Sequence, residues 1–504
     1  MSPTTFGAIL ALAGAANAFW RMPCGGRLLL ERADPIIDPG KPAGHVHTIS
    51  GGNGFDFEMD YAKANASTCS SCPIKKDLSN YWTPKLYYVA EDGTFEDVPQ
   101  AGEGEGRTGG MTVYYQQRGG PDNDELHAFP DEFRMVAGDS RQRNQTGAEA
   151  APGKAVSFVC LDYSGTSDQT DSIPDKNCPD GLRAQIYFPS CWDGVHGDSP
   201  DHSSHMHYPI GQHDSGSCPD SHPVHLISIF YEVIYSIDKF ADRWHGSGHP
   251  FVFAQGDRTG YGFHGDFVNG WDRATLQKAV DTCTADSGTL EDCHVFDNDL
   301  YTAAEQQACR MPPSIDEKTT GTLDALPGCN PATSGPEYAK SPTDCAGATE
   351  AVIGKQATYY TDMTAEKWAY QGCATDDYFV RTLTGASTSS DSMTVKTCVA
   401  FCESKGFALA GLEYARECYC GDEYSGADRA PKKGVMGACA VPCAGAAGEI
   451  CGAAGALSMY RKCEGGECEN VSYRDPSPSS SAAAAAGEEK RKRHLARHKH
   501  TKRS

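Results

Sequence analysis

Beyond its first twenty residues the chain has no stretch approaching the roughly 18 consecutive apolar residues that a membrane-spanning helix needs. It also lacks a phosphate-binding P-loop, a dinucleotide-binding glycine fingerprint and a Gly-x-Ser-x-Gly elbow, which leaves ATPase, dehydrogenase and ordinary esterase chemistry without support. Helical periodicity is scarce, with Ala274–Thr284 the best case in the first 310 residues. Positive charge is short as well: 44 Lys and Arg face 67 Asp and Glu, a formal charge of −23. A phosphate backbone would be repelled by such a body, so nucleic acid is excluded as the main partner.

Other features are plentiful. Gly and Pro together number 83 of 504 residues, a turn-rich composition that suits short strands. Hydrophobic residues reach 39%, enough for buried cores in two or three domains. Cysteine is frequent, 22 in all, and falls in even groups: twelve from Cys24 to Cys345, eight from Cys373 to Cys451, then Cys463 and Cys468. An even, high count points to disulfides and an oxidising compartment. The apolar run Phe6–Ala16, ending in Ala16-Asn17-Ala18, predicts a signal peptide over residues 1–18. Sequons at Asn65, Asn144 and Asn470 agree with an extracellular glycoprotein.

Four regions are expected after the signal. Residues 19–310 carry aromatic and β-branched runs such as Lys85–Val89, Met111–Gln116, Val156–Leu161 and Leu226–Ile237, bounded by Gly, Pro and Asp. A mainly β domain is predicted, with a sandwich or jelly-roll-like form. Residues 311–365 are rich in Pro, Thr and Ser and read as a linker with one Cys329–Cys345 staple. Residues 366–463 form a compact, disulfide-rich α+β module. Residues 464–504 end in low complexity and a basic run, with eight Lys/Arg against two Glu in 488–504. That run is a candidate contact for anionic surfaces, and equally a solvated tail without a partner.

In the cysteine-rich module, Thr394–Gly406 predicts a short helix with Ser392 or Thr394 as N-cap and Gly406 as its stop. Cys398 and Cys402 are four apart, so both face one side and can staple the helix to a sheet. Phe407–Tyr414 alternates like a strand. The run from YQGC through TVKTCVAFCESKGFALAGLEYARECYCGDEY to EICGAAGALSMY resembles the WSC domain, with all eight expected cysteines. The resemblance implies a disulfide-stapled carbohydrate-binding module of fungal wall proteins, directed at β-1,3-glucan or a related wall polysaccharide. Sugar rings stack on exposed aromatics, which makes Tyr414, Tyr419 and Tyr424 candidates, each of them equally able to be core.

The segments FWRMPCGGRLLLERADPIIDPGKPAGHVHTISGGNGF, DSPDHSSHMHYP and GDRTGYGFHGDFVNGWD resemble a fungal secreted domain of unknown function that often precedes WSC modules. No chemistry comes with that family, so the residues must supply it. Ten of the 17 histidines fall in residues 196–264, where chance would place about two. Three clusters follow. His45 and His47 would share a face if they lie on a strand. Asp201, His202 and His205 sit in a segment dense in acid and imidazole. The third cluster places His264 between Asp257 and Asp266 on a glycine-rich loop.

These eight residues are the candidate catalytic set: His45, His47, Asp201, His202, His205, Asp257, His264 and Asp266. A divalent metal held by the histidines, paired carboxylates for glycoside hydrolysis, a His/Tyr pair for β-elimination and plain loop bracing all remain open. The cofactor is therefore unassigned at this stage. The function expected is that of a secreted fungal cell-wall-associated protein that binds polysaccharide and carries a carbohydrate-active His/Asp site. The alternative is a non-catalytic wall adhesin.

Overall fold

The computed structural model describes residues 18–471, apart from 104–108, 122–123, 145–154, 312, 316, 340–352, 354–359, 378–379, 432–438, 440, 454 and 467. The expected signal peptide, the Cys329–Cys345 staple, the second and third sequons and the basic tail therefore lie wholly or partly outside the described residues. The chain divides into two units, residues 1–359 and 360–504.

Strands dominate the first unit, where β-branched and aromatic side chains suit a pleated, half-buried surface. A six-stranded antiparallel sheet has the order Phe19–Pro23, Met111–Gln116, Ser228–Tyr235, Leu182–Tyr187, Val156–Cys160, Asp168–Thr170. A five-stranded sheet has the order Leu29–Glu31, His47–Gly51, Asn80–Pro84, His264–Val268, Arg134–Gly138. One face of the smaller sheet, with Tyr81, Met135, Ala137 and Phe267, shares a core with Val113, Tyr115, Ile186, Ile229 and Tyr231 of the larger one. The result is a sandwich whose inner layer is largely aromatic.

The opposite face of the five-stranded sheet carries Ile49, Trp82 and Val268, packed under Ala33, Ile36, Phe55 and Phe57. A loop, residues 32–46, therefore lies over this face, and it matters for the site below. Disulfides Cys24–Cys72, Cys69–Cys309, Cys160–Cys178, Cys191–Cys218 and Cys283–Cys293 brace the unit. The expected helix forms at Arg273–Thr282, capped by Asp272.

The stretch expected to begin a linker is folded onto this unit over the described residues between 311 and 339. Thr322–Leu323 pairs with Phe95–Asp97, Leu323 and Leu326 are buried, and Thr333 exchanges backbone hydrogen bonds with Gly256 and Arg258. Proline and threonine there shape turns against a sheet edge instead of a free connector.

In the second unit, a five-stranded sheet of order Trp368–Thr375, Ala456–Lys462, Leu409–Glu413, Glu417–Gly421, Ala386–Ser389 carries one helix, Val395–Ser404. The Thr394 hydroxyl accepts from the Thr397 amide at the helix start, and Gly406 takes a left-handed φ of +86° past its end. Cys398 and Cys402 bond Cys418 and Cys420 on one strand, so the helical spacing of four meets the strand spacing of two. Cys373–Cys439, Cys443–Cys451 and Cys463–Cys468 complete the staples.

Candidate functional site

The register of the five-stranded sheet brings two distant histidines together. His47–Gly51 and His264–Val268 both run antiparallel to Asn80–Pro84, so they run parallel to each other across it. Ile49 and Asp266 face Trp82 from either side. His47 and His264, each two residues earlier, therefore share a rung and a face. Asp266 stands two residues from His264 on that same face. His45 sits in a bend just before its strand, not on it, yet still reaches the same point.

The three imidazoles converge through Nε2. The Nε2 atoms of His45 and His264 are 3.0 Å apart, and those of His47 and His264 are 3.4 Å apart. The other ring nitrogens point outward: Nδ1 of His47 meets the Ala33 carbonyl at 3.1 Å, and Nδ1 of His264 meets the Gly262 carbonyl at 2.9 Å. A carbonyl only accepts, so each Nδ1 carries the proton and each Nε2 presents a lone pair. Burial and mutual repulsion keep the rings neutral. Burial first, then His47 and His264, pushes His45 well below its ordinary value, while His47 and His264 drop to about 4, chiefly by burial.

Two carboxyls adjoin the imidazoles. Asp266 is fully buried, and neither of its oxygens has a hydrogen-bond partner. Asp34 accepts from the amides of Ile36 and Ile37 through Oδ1, an Asx turn that shapes the covering loop. Ligand atoms of Asp34, His47 and Asp266 lie within 4.8 Å of one another, as do those of His45, His47 and His264. Burial raises Asp34 to about 6 and, together with Asp34, raises Asp266 well above the usual carboxylate range.

A cleft of about 650 Å³ opens from this cluster, lined by Asp34, His45, His264 and Asp266 on its floor side. Asp38, Asp139, Asp201, Arg141, Arg143 and Tyr338 form much of the rest. The Tyr338 hydroxyl donates to Asp139, and the Arg141 guanidinium lies 4.7 Å over the Tyr338 ring. Acids outnumber bases in this wall, so the cleft suits neutral or cationic matter more than anionic.

Four expected site residues reach the cluster itself: His45, His47, His264 and Asp266. Asp201 lines the cleft, but its Oδ1 takes four hydrogen bonds from Ser199, Ser203 and Ser204, which make it a loop brace. His205 has both ring nitrogens engaged, with Ser199 and with the Arg134 carbonyl, and His202 bonds Asp198; neither lines the cleft. Asp257 is fully buried and likewise outside it. It accepts from Thr259 and from the Gly262 amide at 2.7 Å, with Arg143 3.6 Å away. Its role is positional, since it holds the loop whose Gly262 carbonyl orients His264. The residues that sequence reasoning missed are Asp34, Asp139, Arg141 and Tyr338. Asp34 had a signal only as the first of two Asp-Pro pairs in the covering loop.

In the second unit Tyr414 is 59% exposed at the turn after Leu409–Glu413, with a left-handed φ of +46°. Tyr419 and Tyr424 pack against the core instead. Tyr419 also donates to Glu417 and lies under Arg381, 4.5 Å from ring centre to guanidinium.

Comparison with known proteins now separates the two units. The family "Domain of unknown function (DUF1996)" matches residues 34–271, and the WSC domain matches residues 370–453. The chain joins a DUF1996 domain to a WSC domain. The His/Asp cluster thus belongs to the DUF1996 domain and the exposed Tyr414 to the WSC domain. Similar proteins include one of Chaetomium globosum described as a fungistatic metabolite, 45% identical over 18% of this chain and 41% of that one. A WSC domain-containing protein of Arthroderma benhamiae is 39% identical over 20% of this chain and 13% of its own length. Kremen protein 2 of Mus musculus is 36% identical over 20% and 22% respectively. The chain therefore spans less than half the length of each of these relatives. The WSC domain and the disulfide density are consistent with an extracellular protein in a carbohydrate-binding or cell-surface role. Among the described residues no helix is long and apolar enough to cross a membrane.

Proposed function

We propose that the chain is a secreted, fungal wall-associated protein that docks on β-1,3-glucan or a related polysaccharide through its WSC domain and acts on that polysaccharide in the cleft of its DUF1996 domain. The observation that carries this reading is the convergence of three imidazoles and an unpartnered, buried carboxyl beside a cleft that His45, His264 and Asp266 line. Strained or unsatisfied polar clusters of this kind gather at working sites more than at structural ones. Tethering by the WSC domain raises the local concentration of substrate for its partner domain, so even weak docking contributes.

With Asp38, Asp139 and Asp201 set against Arg141 and Arg143, the lining is net acidic and favours a neutral polysaccharide over a polyuronate. Hydrolysis is accordingly preferred over β-elimination. Incubation of the full chain with a panel of fungal and plant polysaccharides, with products read by mass spectrometry, tests the proposal. Water-added ends from a neutral glycan are the expected result. Unsaturated ends would replace hydrolysis by elimination, and binding without any product would leave an adhesin.

A further inference from the structure

The Nε2 atom of His264 stands from those of His45 and His47 at spacings that suit ligands to a common ion, and ligand atoms of all three lie within 4.8 Å of one another. Two nitrogens each about 2.0–2.1 Å from one centre sit about 3.0 Å apart at octahedral angles and about 3.4 Å apart at tetrahedral ones. The observed separations are 3.0 and 3.4 Å. We propose that His45, His47 and His264 bind one first-row divalent metal ion through Nε2, with the buried Asp34 and Asp266 carboxyls supplying the adjacent negative charge.

Three further observations converge on the ion. First, the Ala33 and Gly262 carbonyls fix the tautomers of His47 and His264, so two lone pairs point at each other with no proton between them. His45 alone has a proton to offer there, and one N–H cannot serve both acceptors. Metal-ligating histidines show the same outward N–H bond to a carbonyl, which orients the ring. Second, Asp266 is fully buried with both oxygens unpartnered, a costly state for a carboxyl in either protonation form. A cation beside it removes that cost. Third, the covering loop is pinned where an ion would need it: Asp38 accepts from the Gly44 amide at 3.1 Å, and Asn330 donates to the Gly44 carbonyl at 2.8 Å.

Imidazole with carboxylate, and no thiolate, selects Zn²⁺, Mn²⁺, Fe²⁺ or a neighbour over Mg²⁺ and Ca²⁺, which prefer oxygen alone. His45 stays partly exposed on the cleft side. The centre therefore keeps an open side, as reactive metal sites do and structural ones do not. This inference deepens the cleft reading above without depending on its substrate.

The test uses the full chain, stripped with a chelator and reconstituted separately with Zn²⁺, Mn²⁺ and Fe²⁺. Metal content is read by mass spectrometry, affinity by calorimetry and folding by thermal unfolding. About one equivalent of ion is expected, with a rise in Tm on reconstitution. His45→Ala, at a partly exposed position, should weaken binding at least about tenfold. His202→Ala, outside the cluster, should leave ion binding unchanged. Asp266→Asn should weaken binding, because an amide cannot supply the negative charge of a carboxylate beside the ion. Absence of both retained ion and Tm response would overturn the proposal, as would unchanged binding in His45→Ala. An ion-loaded chain that leaves every polysaccharide intact sinks the catalytic reading alone. Cleavage by a chain that neither retains nor rebinds an ion sinks the metal centre alone.

Discussion

His45 and His264 meet Nε2 to Nε2 at 3.0 Å although 219 residues separate them in the chain. The parallel relationship of two strands across Asn80–Pro84 sets His47 level with His264, the bend just before His47 brings His45 to the same point, and the Asp257-braced loop holds His264 in place. What surrounds the pair can be tested one element at a time.

Asp257 is the support behind His264. Asp257→Ala strips the Gly262 amide and both Thr259 donors of their acceptor and leaves buried Arg143 without its 3.6 Å counter-charge. Removing one partner of a buried pair costs about 3 kcal/mol. Thermal unfolding should show a clear fall in Tm, and a change below about 1 kcal/mol would deny the brace its role.

The Cys69–Cys309 bridge closes a loop of 240 residues, tying an early segment to the end of the folded sandwich. Chain entropy assigns such a closure about 5 kcal/mol. The double variant Cys69→Ser, Cys309→Ser should unfold at markedly lower denaturant than the parent. An equal midpoint would mean that these two segments are secured by packing alone.

In the WSC domain one cation serves two carboxyls: Arg381 donates to Asp376 at 2.7 Å and to Glu413 at 2.8 Å. Burial first, then Asp376, raises Glu413 to about 8. Although burial raises Asp376, hydrogen bonds from Arg381 and Glu413 lower it overall. The folded state thus holds a proton that the unfolded chain releases near 4.5. Stability from this group is complete below about pH 4.5 and declines as pH rises towards 8. Hydrogen exchange of Leu409–Glu413 should quicken over that window, after correction for intrinsic rates. Glu413→Gln should flatten the trend, and an unaltered slope would refute the assignment.

Tyr414 and Ala415 adopt φ of +46° and +66°, a region that L side chains enter at a cost of roughly 1 kcal/mol each. An exposed aromatic held there is expected to serve binding. Tyr414→Gly should raise or preserve Tm while lowering retention on insoluble β-1,3-glucan several-fold. Unchanged retention would remove Tyr414 from the binding surface.

Much of this protein was legible in its residues, and for local reasons. Met111–Gln116 alternates with period two and forms a strand of those bounds. Thr394 and Gly406 bracket a helix because capping chemistry acts within a few residues. The WSC cysteines paired across helix and strand as their spacings allow. The site was only partly visible. Histidine density pointed to the 196–264 window, yet His202 and His205 brace loops there, while Asp34, unremarkable beside Pro35, joins the cluster. Tyr419 and Tyr424 looked like Tyr414 in composition, and packing against the core set them apart.

Sequence by itself determined the β-rich class, the stapled module and the residue types able to hold a proton or an ion, because propensity, capping and spacing are short-range properties. Tertiary structure alone decided which imidazoles face one another, which carboxyl is left without a partner and which loop covers them. Those depend on strand register and on the burial of charge, and both are set by contacts between residues hundreds of positions apart.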